Sequence, residues 1–586
     1  MIKHIFFSLR ALVLLGALVL QALATTASAV EPVRVVGTNS WISTNRWSPG
    51  TKYPGKTAFW HRTKHQLGGP VAEIDLAFMN WTSYSSGELV NASTVSFNYV
   101  WLERESDGQV VPVTFSGARS LVMTGGVSQA YYMADPIDSS VWTGGTPQRD
   151  EIFWLQIKGN IDADEDHIPV GAHTTMSGSL MAIYPPADDP GTYDFVGKPT
   201  LTNSTANYWG LPVMFGGRFT EAGHLSVIGL GDSILYGSGD TRQPVVAGSS
   251  FLSRATVDDD GLNTVAMFNM ARHAESAGGF ISHHDLRGEF LQFANVVVEE
   301  YGTNDLGTNG TGDPDTMYSR VQTIWQLARD AGVETIIRTK LLPRTSSSDS
   351  WQTMENQTVN NGWGDGEKRD TFNAYLETAL SEGKIDMLVD TLSAVSDPSD
   401  SHYWVTNGAS KYATGDGTHL SGGGNALAAV PLRAAFEQLL AANETFSYND
   451  WVDSYDWGGK DSSPTADASA DGVLNLLAYG LKLDPLDNNA GKTSTVAYDV
   501  STPGGPWITL DFRKNQVATD LQFAVLYSID LAVDGWTTLS PDDSTIFEET
   551  VDADPDGDGE AEVVRWRVKM PDDSPCFLKL DISQSS

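Results

Sequence analysis

Residues 227–240 read VIGLGDSILYGSGD, an apolar run that changes abruptly into small and polar residues. Ser233 stands at the change. The pattern predicts a buried strand that ends in a tight turn and leads into a helix. At such a turn a serine can be a helix N-cap, or it can be a nucleophile exposed at the end of a strand. Because Gly-Asp-Ser is a common tripeptide, the residues downstream have to distinguish these two roles.

The segment 224–444 alternates strand-like and helix-like patterns. The run FANVVVEEYGTND (293–305) is apolar and ends in polar residues, whereas DTMYSRVQTIWQLARDAG (315–332) repeats apolar residues at helical spacing. Pro431 lies within a later apparent helix and should kink or restart it. The alternation predicts an α/β fold with a mostly parallel sheet covered by helices on both faces. Ligands of such sheets lie beyond the carboxyl ends of the strands, so polar residues at those ends are the functional candidates.

Four strand-end features follow one another in the chain. Acyl transfer by a serine requires a base that takes the hydroxyl proton, a carboxylate that orients the base, and donors for the developing oxyanion. Ser233 can attack, His419 can be the base, and Asp416 can orient it from three residues away. The main-chain N–H of Ser233 and the side-chain amide of Asn304 can donate to the oxyanion. The four features are GDS (231–233), NMARHAESAGG (269–279), GTND (302–305) and DGTHL (416–420).

These motifs resemble those of the SGNH, or GDSL-like, serine hydrolases, because GDS, GTND and DGTH occur in that family's order and at its wide spacing. The resemblance covers residues 224–444, about two-fifths of the chain. It implies an SGNH-type three-layer α/β/α domain. It also implies that Ser233 is the nucleophile, that Asp416 and His419 complete a triad, and that Asn304 donates to the oxyanion.

A third oxyanion donor is the point where the sequence departs from the family pattern. The second block of the family has a glycine five residues after an asparagine, and the N–H of that glycine completes the oxyanion hole. Counting from Asn269 gives Ala274, whose N–H can still donate. Gly278 or Gly279 is the alternative donor if the loop is longer.

Two other groups of polar residues suggest different chemistry. Glu299 and Glu300 resemble the paired carboxylates of a glycosidase, but adjacent residues on a strand point to opposite faces. His273, His283 and His284 lack a regular metal-ligand spacing such as His-Glu-x-x-His. We therefore interpret the histidines as polar loop residues and expect no metal or other cofactor in catalysis.

The segments on either side of 224–444 have strand patterns. From 30 to 223, segments such as STVSFNYVWLE and EIFWLQIKG lie between turn-forming residues and predict an N-terminal β-sandwich or jelly-roll-like domain. Residues 445–493 are an Asp-rich linker with a short helix. Residues 494–586 predict a small C-terminal β-sandwich-like module.

Acidic loops in the C-terminal part have the composition of calcium sites. Residues 467–475 place oxygen ligands at alternate positions, although Ala478 stands where a final carboxylate is expected. This segment resembles the Asp-rich stretch before a C-terminal module in many exported enzymes of aquatic bacteria. A denser set lies in an apparent hairpin loop and predicts either a structural calcium site or a solvated acidic turn. Its carboxylates are Asp552, Asp554, Asp556 and Asp558.

Residues 1–29 have the pattern of a signal peptide, with a basic start, the apolar run ALVLLGALVLQALA and small residues at 27–29. We therefore expect a secreted or periplasmic protein without a membrane span in its mature form; an uncleaved anchor is the alternative. The chain has 37 Lys and Arg against 74 Asp and Glu, a net charge of −37, which argues against nucleic acid as a partner. The single cysteine, Cys576, excludes an intramolecular disulfide.

These features together predict a secreted serine esterase that removes acetyl or other short acyl groups from an acylated carbohydrate. The carbohydrate preference rests on export, on the β modules and on N-terminal tryptophans, most of which we expect in a core rather than on a sugar-binding surface. One alternative is a lipase or arylesterase acting on longer acyl or aryl esters. Another is a non-catalytic carbohydrate-binding surface protein with a hydrolase-like domain. The tryptophans are Trp60, Trp81, Trp101, Trp142 and Trp209.

Overall fold

The structure is a computed structural model in which the chain divides into two compact units, Met1–Asn443 and Glu444–Ser586. The predicted signal peptide, residues 1–29, lies outside the described residues, as do Asp554, Asp556 and Asp558 of the predicted calcium site. The described residues are 31–171, 178–206, 209–241, 249–307, 312–443, 448–455, 457–499, 501–503, 505–518, 521–529, 536–541, 545–553, 555, 561–570 and 576–584.

The first unit begins with short and long strands and then alternates strands with helices. Its first strands are β1 (Arg34–Val35), β2 (Ser40–Trp41), β3 (Asn45–Trp47), β4 (Ala58–Gln66), β5 (Val71–Phe78), β6 (Trp81–Tyr84), β7 (Gly87–Val90), β8 (Val95–Arg104), β9 (Val110–Val113), β10 (Leu121–Met123), β11 (Tyr132–Met133), β12 (Ile137–Asp138), β13 (Ile152–Ile161), β14 (Ile168–Val170), β15 (Leu180–Tyr184), β16 (Thr205–Ala206) and β17 (Val213–Phe219). The following strands are β18 (Ser226–Leu230), β19 (Ala266–Asn269), β20 (Val296–Glu299), β21 (Thr335–Thr339), β22 (Thr345–Ser347), β23 (Gln357–Val359), β24 (Met387–Val389), β25 (Ser396–Asp397) and β26 (Asp400–Trp404). The helices are α1 (Ser233–Tyr236), α2 (Phe251–Ala255), α3 (Ala277–Ser282), α4 (Thr303–Leu306), α5 (Pro314–Asp330), α6 (Lys368–Ser381), α7 (Thr391–Val395) and α8 (Gly422–Asn443).

Five parallel strands form one half of an eleven-stranded sheet. They lie in the order β19-β18-β20-β21-β24, so the strand that comes first in the chain lies second in the sheet. The parallel sheet predicted for this segment is therefore present. The chain moves to one side of β18 and then to the other, and open sheets of this type bind ligands at the carboxyl ends of the strands where the order reverses. The turn that carries Ser233 follows β18 and lies at this point.

The same sheet continues into the N-terminal segment. β2 pairs in parallel with β19, and β17, β5 and β11 follow in antiparallel order. The predicted boundary between 30–223 and 224–444 thus runs through one continuous sheet, and both segments belong to one compact unit. The pairing has a physical reason, because β2 satisfies the N–H and C=O groups that β19 would otherwise expose at an edge.

A second sheet packs on the N-terminal half of the first. Its seven strands include the path β10-β8-β13-β4-β15-β16, with β9 paired to β8. Phe59, Phe97 and Leu155 from this sheet share one hydrophobic core with Leu76 and Phe215 from the eleven-stranded sheet. The N-terminal segment is thus a sandwich in which one of the two sheets is the extension of the parallel sheet.

Helices cover both faces of the parallel strands. Val297 of β20 belongs to the same core as Trp325 of α5, whereas the adjacent Val298 belongs to a second core with Phe436 of α8. Neighbouring residues of a fully buried strand enter different cores, which explains why such strands are apolar throughout. α8 runs through Pro431 as one helix, so the restart expected there does not occur.

The second unit, taken by itself, has short helices followed by two antiparallel sheets with the orders β27-β28-β32-β31 and β30-β29-β33. Leu510 and Trp566 of one sheet and Val525 of the other share a core with the buried Cys576. No helix among the described residues of either unit is long and apolar enough to cross a membrane. The elements are α9 (Tyr448–Asp453), α10 (Asn475–Gly480), β27 (Thr495–Asp499), β28 (Trp507–Asn515), β29 (Leu521–Ser528), β30 (Thr537–Thr538), β31 (Ile546–Asp552), β32 (Ala561–Lys569) and β33 (Phe577–Gln584).

Candidate active site

Ser233 begins α1 directly after the turn that ends β18. Asp232 is the N-cap of this short helix: its Oδ1 accepts the N–H of Ile234 at 2.9 Å, and its carbonyl accepts the N–H of Tyr236 at 3.0 Å. The capping role that the sequence left open for Ser233 therefore belongs to its neighbour. Only 8% of Ser233 is exposed, and its hydroxyl faces His419.

Hydrogen-bond distances connect Ser233, His419 and Asp416 in a chain. Ser233 Oγ lies 2.8 Å from His419 Nε2, and His419 Nδ1 lies 2.7 Å from Asp416 Oδ2. A neutral imidazole with its proton on Nδ1 donates to Asp416 and can accept the hydroxyl proton at Nε2. The structure thus brings together the three side chains that the sequence grouped, although 186 residues separate Ser233 from His419.

The loop before α8 holds His419 by main-chain contacts. Asp416 Oδ1 accepts the N–H groups of Thr418 and His419 at 2.9 and 2.8 Å. Gly417 has a φ of +80°, and a Cβ there would lie 1.8 Å from the carbonyl oxygen of Thr345. Only glycine fits this position, which explains the residue between Asp416 and Thr418.

Asp416 is held in its ionised form. Burial raises the pKa of Asp416, but hydrogen bonds from the His419 ring and from the N–H groups of His419 and Thr418 outweigh burial and hold the pKa below its ordinary value. The carboxylate can therefore stabilise an imidazolium on His419 without taking up the proton itself.

Two main-chain N–H groups near Ser233 can serve as oxyanion donors. The N–H of Ser233 is in the first turn of α1, where a helix leaves donors without intrahelical acceptors. The loop that carries Ala274 is held beside this turn by a hydrogen bond of 2.9 Å from the N–H of Arg272 to the carbonyl of Gly231. In the described part of the chain, no acceptor takes the N–H of Ala274.

Ala274 has a backbone conformation that favours glycine. Its φ is +57°, in the left-handed region that favours glycine. Of the alternatives, Gly279 donates its N–H to Ser276 Oγ at 3.1 Å, and Gly278 lies within α3. These contacts favour Ala274 over Gly279 and leave Gly278 open, and donation by Ala274 to a substrate stays a prediction.

Asn304 lies in α4, next to the same turn. Its Nδ2 donates to Asp232 Oδ2 at 3.1 Å and to the carbonyl of Glu275 at 2.9 Å. Donation to a substrate oxyanion thus requires that one amide hydrogen be shared or released from these acceptors. The neighbouring Asp305 stabilises the start of α3, because its Oδ2 accepts the N–H of Ala277.

A buried acidic group lies beside Ser233, where the motifs did not predict one. Glu300 is 4% exposed and accepts the N–H of Asp232 at 3.1 Å, whereas Glu299 is 0% exposed and pairs with Arg338 at 3.1 Å. The two glutamates thus have different partners, as expected for adjacent residues on a strand. In the sequence, Glu299 and Glu300 directly follow three valines of a predicted buried strand. This pattern was the signal that could have indicated a buried acidic group.

His273 and Arg344 are polar residues near the triad, and each packs on an aromatic ring. His273 packs on the ring of Tyr236 with centroids 3.9 Å apart, and its Nδ1 lies 2.8 Å from Ser238 Oγ. Burial and the charges of Arg272 and His419 lower the pKa of His273 to about 4. Arg344 stacks on Trp363, with its guanidinium carbon 5.2 Å from the ring centroid. Burial lowers the pKa of Arg344, against the attraction of Asp232 and Asp416.

The tryptophans considered as sugar platforms are mostly core residues. Trp60, Trp81, Trp101 and Trp142 are between 0% and 3% exposed. They present no surface on which a sugar ring could stack, so four of the five tryptophans give no support to a carbohydrate substrate. Trp209 is partly buried.

The predicted calcium loops do not contain the closest group of possible metal ligands among the described residues. Among the described residues, one group of three such side chains lies close enough to share an ion: Asp365, Asp370 and His402. In residues 467–475, Asp467 accepts the N–H groups of Asp471 and Gly472. Ala478 is 1% exposed, so the final ligand position is an apolar core position. Asp552 ends β31, and a calcium site there stays a prediction.

Comparisons with known proteins give distant structural likenesses. No protein-family model matches the sequence, and no curated protein matches it. A putative acylhydrolase from Bacteroides fragilis is 20% identical over 36% of this chain and 87% of its own, with a TM-score of 0.26. An acetyl xylan esterase is 16% identical over 36% of this chain and 98% of its own, with a TM-score of 0.26. A carbohydrate esterase family 3 protein from Talaromyces cellulolyticus is 15% identical over 37% of this chain and 98% of its own, again with a TM-score of 0.26. The resemblance of the C-terminal module stays a prediction.

Proposed function

We propose that this protein is a serine esterase that hydrolyses carboxylic esters at Ser233. One observation carries the proposal. A hydroxyl, an imidazole and an ionised carboxylate follow one another at 2.8 and 2.7 Å, at the carboxyl end of a parallel strand. This is the arrangement that makes a serine hydroxyl nucleophilic, since free serine is a weak nucleophile.

The acylation step uses all three side chains. His419 Nε2 takes the proton of Ser233 as Oγ attacks the ester carbonyl carbon, and Asp416 stabilises the imidazolium that forms. The carbonyl oxygen becomes an oxyanion, for which the N–H groups of Ser233 and Ala274 and the amide of Asn304 are the donors. When the intermediate collapses, His419 returns the proton to the leaving alcohol, and the acyl group remains on Ser233.

Deacylation repeats the same chemistry with water. His419 removes a proton from a water molecule that attacks the acyl carbon, and the second intermediate collapses when the proton passes to Ser233 Oγ. The carboxylic acid leaves and the enzyme returns to its starting state. No step requires a metal or another cofactor.

The substrate we propose is a short acyl group, such as acetate, on a carbohydrate. His273 and Arg344 place polar groups near the triad, which suits a hydroxyl-rich leaving group better than a long aliphatic chain. Export, proposed from residues 1–29, would give access to extracellular polysaccharide. A lipase or arylesterase would instead prefer longer acyl or aryl esters.

Hydrolysis of p-nitrophenyl esters of increasing acyl length by the wild type and Ser233→Ala tests the reaction class. We expect activity that is greatest with acetate and is lost in Ser233→Ala. Release of acetate from acetylated polysaccharides then tests the carbohydrate. Equal rates for the wild type and Ser233→Ala would reject the esterase and favour the non-catalytic binding protein. Rates that rise with acyl length would favour the lipase.

A further inference from the structure

Glu300 lies directly beneath the turn that presents Ser233. Its N–H donates to the carbonyl of Leu230 at 2.9 Å, so it is the first residue beyond the register of β18 with β20. Its Oε2 accepts the N–H of Asp232 at 3.1 Å. A Cβ on Gly231 would approach that oxygen to 2.8 Å, which shows how closely the carboxyl group packs on the turn.

The carboxyl groups of Glu300 and Asp232 lie at the same buried turn, where Glu300 Oε2 accepts the N–H of Asp232 and the Glu300 side chain acts on the pKa of Asp232. Two ionised carboxylates have only acceptor atoms and repel each other, so a proton on one of them relieves the repulsion and allows a hydrogen bond between the two. Burial raises the pKa of Asp232 to about 6, but hydrogen bonds from Ile234 N–H and Asn304 Nδ2 favour its ionised form. The proton is therefore more stable on Glu300 than on Asp232.

The charges around Glu300 and Asp232 also favour a proton on Glu300. Asp232, Glu299 and Glu300 are all at most 4% exposed, whereas among the described residues the buried guanidinium beside the glutamates is that of Arg338. Burial, followed by the charge of Asp232, raises the pKa of Glu300 well above its ordinary value. The charged or titratable groups that act on the two carboxyls are Glu299, Arg338, Asp305, Arg344 and His419.

We propose that Glu300 is a positioning residue: as a neutral acid bonded to Asp232, it fixes the turn that presents Ser233 and reduces the negative charge that competes for the amide of Asn304. Asn304 Nδ2 already donates to Asp232 Oδ2. A proton donated by Glu300 weakens Asp232 as an acceptor, so that an amide hydrogen can transfer to the substrate oxyanion. Loss of that proton places two negative charges beneath the developing oxyanion, where they oppose it. This inference rests on the proposed esterase function.

Glu300→Gln and Glu300→Leu separate these effects. Glutamine has one acceptor and one donor and so reproduces the bonds of the neutral acid. We expect Glu300→Gln to keep the wild-type kcat at neutral pH and to lose the fall in kcat at alkaline pH that accompanies deprotonation of Glu300. Glu300→Leu removes both bonds, and we expect its kcat to fall about tenfold or more with little change in KM. Glu299→Gln is the matched control: it removes a neighbouring negative charge that raises the pKa of Glu300, so we expect it to lower stability and to move the alkaline fall to lower pH without abolishing it.

Infrared spectroscopy gives a readout that does not depend on activity. The wild type at neutral pH should show the carbonyl band of a buried protonated carboxylic acid, which Glu300→Gln should lack. If the band is absent, or if Glu300→Gln keeps the alkaline fall, the inference is wrong, even if Glu300→Leu fails to fold. If the band is present but wild type and Ser233→Ala have equal activity, the proposed function fails and the positioning role fails with it, whereas the protonated pair stands.

Discussion

The Arg287 guanidinium binds both carboxylate oxygens of Glu275, at 2.8 and 2.6 Å, and both side chains are buried. Arg287 Nε also donates to Glu88 at 3.2 Å. Glu88 belongs to the hairpin of β6 and β7, and Glu275 follows Ala274 in the chain. The arginine therefore fastens the predicted oxyanion loop to the N-terminal segment, and this gives that segment a direct part in shaping the site.

Arg287→Leu should destabilise the protein strongly, because it leaves two buried carboxylates without their cation. We expect a loss of about 3–5 kcal/mol in the free energy of unfolding, measured by urea denaturation. Arg433→Leu is the matched control, since Arg433 pairs with Glu437 at 2.7 Å while 56% of the Glu437 side chain is exposed. Its loss should be below about 1 kcal/mol. Similar losses in both variants would contradict the role given to the buried pair.

Asp416→Asn should lower kcat while the fold is retained. The asparagine oxygen can still accept the N–H groups of Thr418 and His419, but the amide no longer holds a proton on His419 Nδ1 or stabilises an imidazolium. We expect kcat for p-nitrophenyl acetate to fall by about 10³–10⁴, the scale known for this change in serine proteases. Asp400→Asn, which alters a second Asp–His pair with His402, should leave kcat unchanged. A rate close to that of the wild type would remove Asp416 from the triad.

The sequence sufficed to group Ser233, Asn304, Asp416 and His419 because each follows a strand or precedes a helix in a parallel α/β pattern. Such patterns are local, and the carboxyl ends of parallel strands meet at one edge. The N-cap could not be assigned from the sequence in this way. The cap at this turn is Asp232, because its side chain accepts the N–H of Ile234. The N-cap and the candidate nucleophile are thus adjacent residues, Asp232 and Ser233.

Long-range pairing was not predictable in the same way. The parallel pairing of β2 with β19 joins strands more than 200 residues apart, and no local pattern states which edge of a sheet another strand will cover. The partners of Glu300 were missed for the same reason. Its contact with Asp232 exists only because β18 and β20 are neighbours in a particular register.

Ala274 tests the third oxyanion donor. Ala274→Gly removes a side chain from a left-handed residue and should keep kcat within about twofold of the wild type. Ala274→Val places a β-branched residue at a φ of +57°, which should shift the loop and lower kcat about tenfold or more with a smaller effect on KM. The matched control is Ala470→Val, because Ala470 is also an exposed alanine with a φ of +58°. It should lose stability without losing kcat. Unchanged kcat in Ala274→Val would argue for Gly278 as the donor.

His61 should make the first unit sensitive to acid. Its side chain is fully buried on β4, and its Nε2 accepts the N–H of Leu211 at 3.2 Å. Burial, together with the charge of His65, lowers the pKa of His61 from 6.5 to about 3. Below pH 6.5 His61 becomes protonated in the unfolded chain but stays neutral in the folded protein. The contribution of neutral His61 to the free energy of unfolding is therefore present above pH 6.5 and is lost as the pH falls.

This linkage predicts a loss of about 3 kcal/mol from His61 alone between pH 7 and pH 4. His61→Gln retains an oxygen that can accept the N–H of Leu211 but has no proton to take up. Its free energy of unfolding should therefore decline less steeply than that of the wild type over this range, whatever its value at neutral pH. Urea denaturation at a series of pH values measures the slope. His283→Gln, at an exposed position, should keep the wild-type slope, and an identical slope in His61→Gln would show that His61 is not the group that titrates.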